Sequence, residues 1–155
     1  MYNYIRDIVT DLKKYDPSNK NTRTPATNQL FKVRDDQKKL PKTLAQVFHT
    51  FTAQGLFATK QARPDIQTAV AFLTTIVLCP DDDDWTKLVC LIRYLRATLT
   101  LALILSADSP NIVKWWVDGS FGVHPDTRSQ TGGTASLGKG SFISTSVLKN
   151  WTPGA

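Results

Sequence analysis

The stretch DDDDWTKLVCLIRYLRAT, residues 81–98, decides how the chain is to be read. Acidic side chains gather at its start and cations at its end, the order that complements a helix dipole. Between them Trp85, Leu88, Val89, Ile92 and Leu95 fall on one side of a 3.6-residue period. A helix therefore begins in Asp81-Asp82-Asp83-Asp84, and Arg93 and Arg96 lie in its later turns. After Thr98 the period changes: Leu101, Leu103 and Leu105 alternate, as in a strand. The chain switches from helices to strands near residue 100.

Upstream of this helix the spacing predicts two more. One starts near Pro41 and runs to about Lys60, with Leu44, Val47, Phe48 and Phe51 as its apolar stripe. Gly55 weakens it by roughly 1 kcal/mol relative to Ala. The next starts at Pro64, a residue suited to a first helical turn, and ends at Pro80. Its apolar face is Ile66, Ala69, Val70, Leu73, Ile76 and Val77. Short links join the three, so they should pack as a bundle. Ahead of them, residues 2–13 form a short helix with Ile5, Ile8, Val9 and Leu12 on one face. From Tyr15 to Thr27 the chain is a polar linker with Pro17 and Pro25. Leu30-Phe31-Lys32-Val33 is a short strand or an anchor, and Arg34 to Lys39 a charged turn.

Downstream, Asp108-Ser109-Pro110 is a turn and Ile112 to Val117 is strand-like. Gly119 to Gly133 reads mostly as loop. Thr134 to Leu137 and Phe142 to Val147 read as strands, with Gly138-Lys139-Gly140 turning between them. The fold class is α+β: a three-helix bundle followed by a mostly antiparallel sheet of three to four strands. Two structural units are expected, residues 1–100 and 101–155.

Composition is that of a globular protein, with 41% hydrophobic and 21% charged residues. A net charge of +6 favours a polyanionic partner or marks a merely basic soluble protein. Cys79 and Cys90 do not make a disulfide framework; both sit in apolar runs, which suggests reduced, buried thiols and an intracellular setting. Tyr2-Asn3-Tyr4-Ile5-Arg6-Asp7 is too polar for a signal peptide, and Leu99 to Leu105 is too short to span a bilayer.

Several motifs have plainer rivals. Gly133 to Lys139 has phosphate-loop spacing, but Gly140 replaces the magnesium-holding Ser or Thr and a strand, not a helix, follows. A hairpin turn is the better reading. His49 and His124 are the only histidines and neither has a cysteine at metal-ligand spacing. The aspartates at 81–84 fit helix capping better than cation binding. Asp118 stands out: it ends the apolar run Val113-Lys114-Trp115-Trp116-Val117, where a carboxylate must be solvated or held by a cation or hydrogen bonds.

Taken in order, these segments resemble the reverse transcriptase and RNase H regions of copia-like retrotransposons. Ala62-Arg63-Pro64-Asp65-Ile66 followed by Thr68 to Leu73 is similar to the family's RPDI…AVAFL segment. Asp83 to Leu88 with Arg93 to Thr98 resembles its W.KL…RYL..T helix, and Thr24-Pro25-Ala26 with Leu30-Phe31 its TPA…LF. Val117 to Phe121, His124, Arg128-Ser129 and Thr131-Gly132-Gly133 are similar to the VDASF…H…RS.TGG opening of RNase H, which Leu137 to Gly140 and Ser144-Thr145-Ser146 continue. The resemblance covers nearly the whole chain.

It implies that the bundle is thumb-like and grips a primer–template through phosphates rather than bases. Lys87, Arg93 and Arg96 are then the phosphate contacts, with Arg63 a weaker one; solvation or structural ion pairing is the alternative for each. Asp118 corresponds to the first acidic residue of the RNase H metal site. The sheet would be the opening of an RNase H-like domain, and the partner an RNA–DNA hybrid or another nucleic acid, weakly held, with no membrane.

The intact family uses Mg2+, but no cofactor is expected for this chain. RNase H chemistry needs about four carboxylates around two magnesium ions. The family's next one lies in a helix resembling K..NT.SSTEAE, where this sequence reads Lys149-Asn150-Trp151-Thr152-Pro153-Gly154-Ala155. A frameshift or premature stop would explain that tail. Gly119 and Gly122, where the family has Ala, loosen the loop beside Asp118. The expectation is a catalytically inactive remnant with residual nucleic-acid affinity. The alternatives are a nuclease completed by dimerisation or a repurposed interaction module. Marginal stability, or self-association through an uncovered sheet edge, is expected of residues 107–155.

Overall fold

Asp81 does what the aspartate run promised. Its side chain accepts from the backbone N–H groups of Asp83 and Asp84, while the Asp84 carboxylate accepts from the Asp81 N–H at 3.2 Å. This reciprocal capping box satisfies donors that every helix N-terminus leaves open. The helix it starts spans Asp82–Ala97 in a computed structural model that describes residues 1–34, 36–109, 111–120 and 129–149. Before it come α1 (Tyr2–Leu12), α2 (Lys42–Gln61), a 3-10 turn (Pro64–Ile66) and α3 (Gln67–Thr75); the Asp82–Ala97 helix is α4. Strands follow: β1 (Ser106–Ala107), β2 (Lys114–Ser120), β3 (Ser129–Ser136), β4 (Gly138–Lys139) and β5 (Ile143–Lys149). The fold is thus mixed α+β, with small antiparallel sheets. The chain divides into Met1–Ala102 and Leu103–Ala155.

In the first unit the bundle has four members rather than three, because α1 packs on α4 as well as α2. Its stripe of Ile5, Ile8, Val9 and Leu12 is buried as the spacing required. The core is Phe48, Phe51 and Ala58 of α2, Ile66 and Val70 with Leu73 around α3, and Leu88, Leu91, Ile92 and Leu95 of α4. Burying each large side chain contributes about 1.5–3 kcal/mol. Leu44, Val47 and Trp85 are only partly buried against it. Gly55 has a packing role beyond its helix cost: an added Cβ would lie 3.2 Å from Val70 Cγ2, so its absence lets α3 approach α2 closely.

Two expectations need correction here, and the choice between strand and anchor at residues 30–33 is decided. The second predicted helix stops at Thr75, short of Pro80, so Cys79 is exposed rather than buried, while Cys90 is half-buried. Residues 30–33 form no strand; Leu30 is a buried anchor and Phe31 meets the Phe72 ring edge-on at 5.5 Å. Leu101, Leu103 and Leu105 lie in no strand either, since their alternation finds no partner ladder.

In the second unit β2, β3 and β5 form an antiparallel sheet in that order. The strand β3 begins at Ser129, well inside the predicted loop, because Gly132 and Gly133 pair directly with Asp118 and Val117. The register places Trp115, Ala135 and Ile143 in one row, and Val117, Gly133 and Thr145 in the next on the same face. On that face Trp115, Val117 and Val147 are all more than half exposed. The short strands β1 and β4 pair separately, Ser106 with Lys139 and Ala107 with Gly138. Gly138-Lys139-Gly140 therefore both turns the chain and pairs, and β5 follows as a strand, so the phosphate-loop reading has no helix to point at. Pro110, His124, Arg128 and the tail beyond Lys149 lie outside the described residues. No helix among the described residues is long and apolar enough to cross a membrane.

Candidate functional site

The four basic residues singled out as phosphate contacts all belong to the first unit, on α4 or against it. Each is held by groups of this chain. Arg63 follows α2 and is 1% exposed. Its guanidinium donates to the Asp65 carboxylate at 2.7–3.2 Å and to the carbonyl and hydroxyl of Thr98 at 3.1 and 2.7 Å. It also stacks 5.5 Å from the Tyr94 ring centre, and Tyr94 donates to Asp65 at 2.9 Å. Burial works against the charged Asp65, but the bonds from Arg63 and Tyr94 outweigh it and hold the carboxyl below its usual range. Arg63 therefore caps the C-terminus of α4 from inside the bundle, with its guanidinium taken up by Asp65 and Thr98.

Lys87 is also buried. Its ammonium donates to Asp84 at 3.2 Å and to the Lys32 carbonyl at 2.8 Å, pairs with Asp83 at 3.0 Å, and lies over the Phe72 ring. Burial pushes the Asp84 carboxyl up from its ordinary value.

Arg93 and Arg96 are partly exposed, and both grip the polar linker. Arg93 donates to both oxygens of Asp16, at 2.8 and 2.9 Å, and to Ser18 Oγ at 2.8 Å. Arg96 donates to Asn21 Oδ1 at 2.9 Å, to the Ser18 carbonyl at 3.0 Å and to the Lys20 carbonyl. Thr22 donates to the Cys90 carbonyl at 2.9 Å. The linker is thus a strap that runs antiparallel along α4, from Arg93 and Arg96 past Cys90 and Lys87. It reaches the start of α4, where Asp82 N–H donates to the Lys38 carbonyl at 3.1 Å. Sequence reasoning missed the strap's role. Asp16 and Arg93 are 77 residues apart, and only the packed bundle brings them together.

The Arg93 hydrogen bonds hold the Asp16 carboxyl at about 2, against an ordinary 3.8. A carboxyl lowered on folding stabilises the fold above its unfolded pKa and loses that contribution as pH falls through the folded one. Asp16→Asn should therefore cost about 2 kcal/mol at pH 7. The deficit should shrink between about pH 4 and pH 2 and vanish below. Urea titrations of both proteins across that range test it; a deficit independent of pH would refute the ion pair.

In the second unit Asp118 is exposed on β2, opposite Gly132, which is itself paired with Ser146 of β5. Neither cross-strand position brings a carboxylate. Among the described residues no group of three or more His, Cys, Asp or Glu is placed to hold a metal ion. A single carboxylate does not fit a paired magnesium site, because Mg2+ demands near-octahedral oxygen geometry and gives up water reluctantly. A cleft of about 230 Å3 between α1 and α2, lined by Tyr15, Phe51 and Gln54 among others, is smaller than the roughly 300–1,000 Å3 usual for small-molecule sites. No protein-family model, curated protein or solved structure matches the chain.

Proposed function

We propose that this chain is a piece of the reverse transcriptase and RNase H region of a copia-like retrotransposon polyprotein. It is catalytically silent by itself and retains sequence-independent affinity for nucleic acid. The ordered sequence resemblance suggests the family. The observation that carries the silent reading is the setting of Asp118: an exposed carboxylate on the first strand of an antiparallel meander, with Gly132 and Ser146 across the ladder and, among the described residues, no group of three or more metal-ligating side chains. Hydrolysis of a phosphodiester by the two-metal route needs ligands for both ions, and one aspartate supplies too few. The net charge of +6 supports the affinity, since cations that neutralise phosphates release counterions whatever the base sequence.

The test is an RNA–DNA hybrid incubated with the full chain and Mg2+. A salt-sensitive gel shift without cleavage is the expected result. Magnesium-dependent cleavage that disappears in Asp118→Asn would overturn the silent reading and favour a nuclease whose ligands come from a second copy.

A further inference from the structure

The cations of α4 are held by groups of this chain, so along α4 the positive charge left facing solvent is that of the strap. Lys20, Arg23, Lys32, Arg34 and Lys38 are all exposed, and among the described residues their side chains make no ion pair or hydrogen bond. Asp16, the strap's first acid, is neutralised by Arg93. Asp36, two residues from both Arg34 and Lys38 in sequence, offsets those cations. Lys20, Arg23 and Lys32 are therefore the least compensated. The strap is also fixed in place. Its carbonyls at Ser18, Lys20 and Lys32 accept from Arg96, Arg96 and Lys87, and Leu30 is buried in the core. The anchor points of Lys20 and Lys32 are nine residues apart on α4, about 14 Å of helix axis. One strand of a duplex carries a phosphate about every 3.4 Å, so this ridge spans several of them.

From this geometry we infer that the strap, not α4, is the chain's polyanion-binding surface. Lys20, Arg23 and Lys32 contact a nucleic-acid backbone, and Lys87, Arg93 and Arg96 act as positioning residues that hold the strap against α4. The partner class rests on the nucleic-acid reading proposed above. The location rests only on exposure and pairing. A prearranged row of cations loses less side-chain and loop freedom on binding than the same charges on an unanchored linker.

The test compares two variants of equal charge in the full chain. One carries Lys20→Gln, Arg23→Gln and Lys32→Gln; the other carries Arg6→Gln, Lys60→Gln and Lys139→Gln, all exposed and off the strap. Binding of a labelled RNA–DNA hybrid is followed by anisotropy as salt is raised. The strap variant should bind roughly tenfold or more weakly, and its log–log salt slope should flatten by about 0.9 per cation removed. The off-strap variant should stay close to the parent protein. Each strap substitution made singly should flatten the slope by about 0.9, which keeps the test decisive even if the triple variant folds poorly. Equal effects from the two triples would overturn the assignment and leave diffuse net charge as the cause. A parent protein with no salt-sensitive binding would instead remove the nucleic-acid reading itself.

Discussion

Arg63→Ala should destabilise the helical unit by about 3–5 kcal/mol, the cost of breaking a buried ion pair from one side. The side chain is 1% exposed, and its removal takes the guanidinium from the Asp65 carboxylate and strips the Thr98 carbonyl at the end of α4. A domain of this size is stable by only about 5–15 kcal/mol, so the loss is a large fraction. It should lower the melting temperature by roughly 4–8 °C per kcal/mol. The deficit should also depend on pH. Asp65 has its carboxyl lowered in the fold, so the stability it shares with Arg63 is present above its unfolded pKa and fades as pH falls through the folded one. Arg63→Met with Asp65→Asn should recover part of the loss, because neither partner is then left charged without the other. Urea unfolding followed by far-UV circular dichroism reads all three proteins. If Arg63→Ala lies within about 1 kcal/mol of the parent, the buried network is not what holds the end of α4.

Gly140→Ala should cost about 3 kcal/mol in the second unit, while Gly132→Ala, the same chemical change, should cost far less. Gly140 has a φ of +75°, in the left-handed region that side chains disfavour. Its added Cβ would fall on the carbonyl oxygen of Ile104 and approach Leu105 Cδ2 to 3.2 Å. Backbone cannot yield there without pulling residues 104–107 away from the turn and parting the β1–β4 pair. At Gly132 the nearest atom to an added Cβ is the Thr145 carbonyl oxygen at 3.9 Å, an ordinary contact. Amide hydrogen exchange at Ser106, Ala107 and Lys139 reports the β1–β4 pair directly. Unchanged protection there in Gly140→Ala would show that the strand pair does not depend on the glycine. The contrast matters for Asp118 as well, because Gly132 is its cross-strand partner and Gly140 is not.

The helices were legible because burial writes a period into the chain. Ile5, Ile8, Val9 and Leu12 had to share a face, and they do. The Asp81 and Asp84 cap was legible because its partners lie within one turn. The strands were legible in kind but not in extent. Gly132 and Gly133 have poor strand propensity, and they are paired because β2 and β5 lie on either side of β3. Asp118 could be singled out, but whether other carboxylates meet it depends on which strands become neighbours. Arg63, Lys87, Arg93 and Arg96 were legible as cations, with structural ion pairing among the readings, but their distant partners were not. Asp65, Asp83 and Asp84 lie within four residues of Arg63 and Lys87, but each of the four cations also holds a distant partner, at Thr98, Lys32, Asp16 and Lys20, 35 to 77 residues away.

By itself, then, the sequence determined where helices begin, which faces they bury and where helices give way to strands, because these follow from neighbours a few residues apart. Only the tertiary structure decided which charges face solvent. An ion pair across 77 residues exists only once packing has brought both halves to the same place, and that packing turns the polar linker from a connector into a basic ridge along α4.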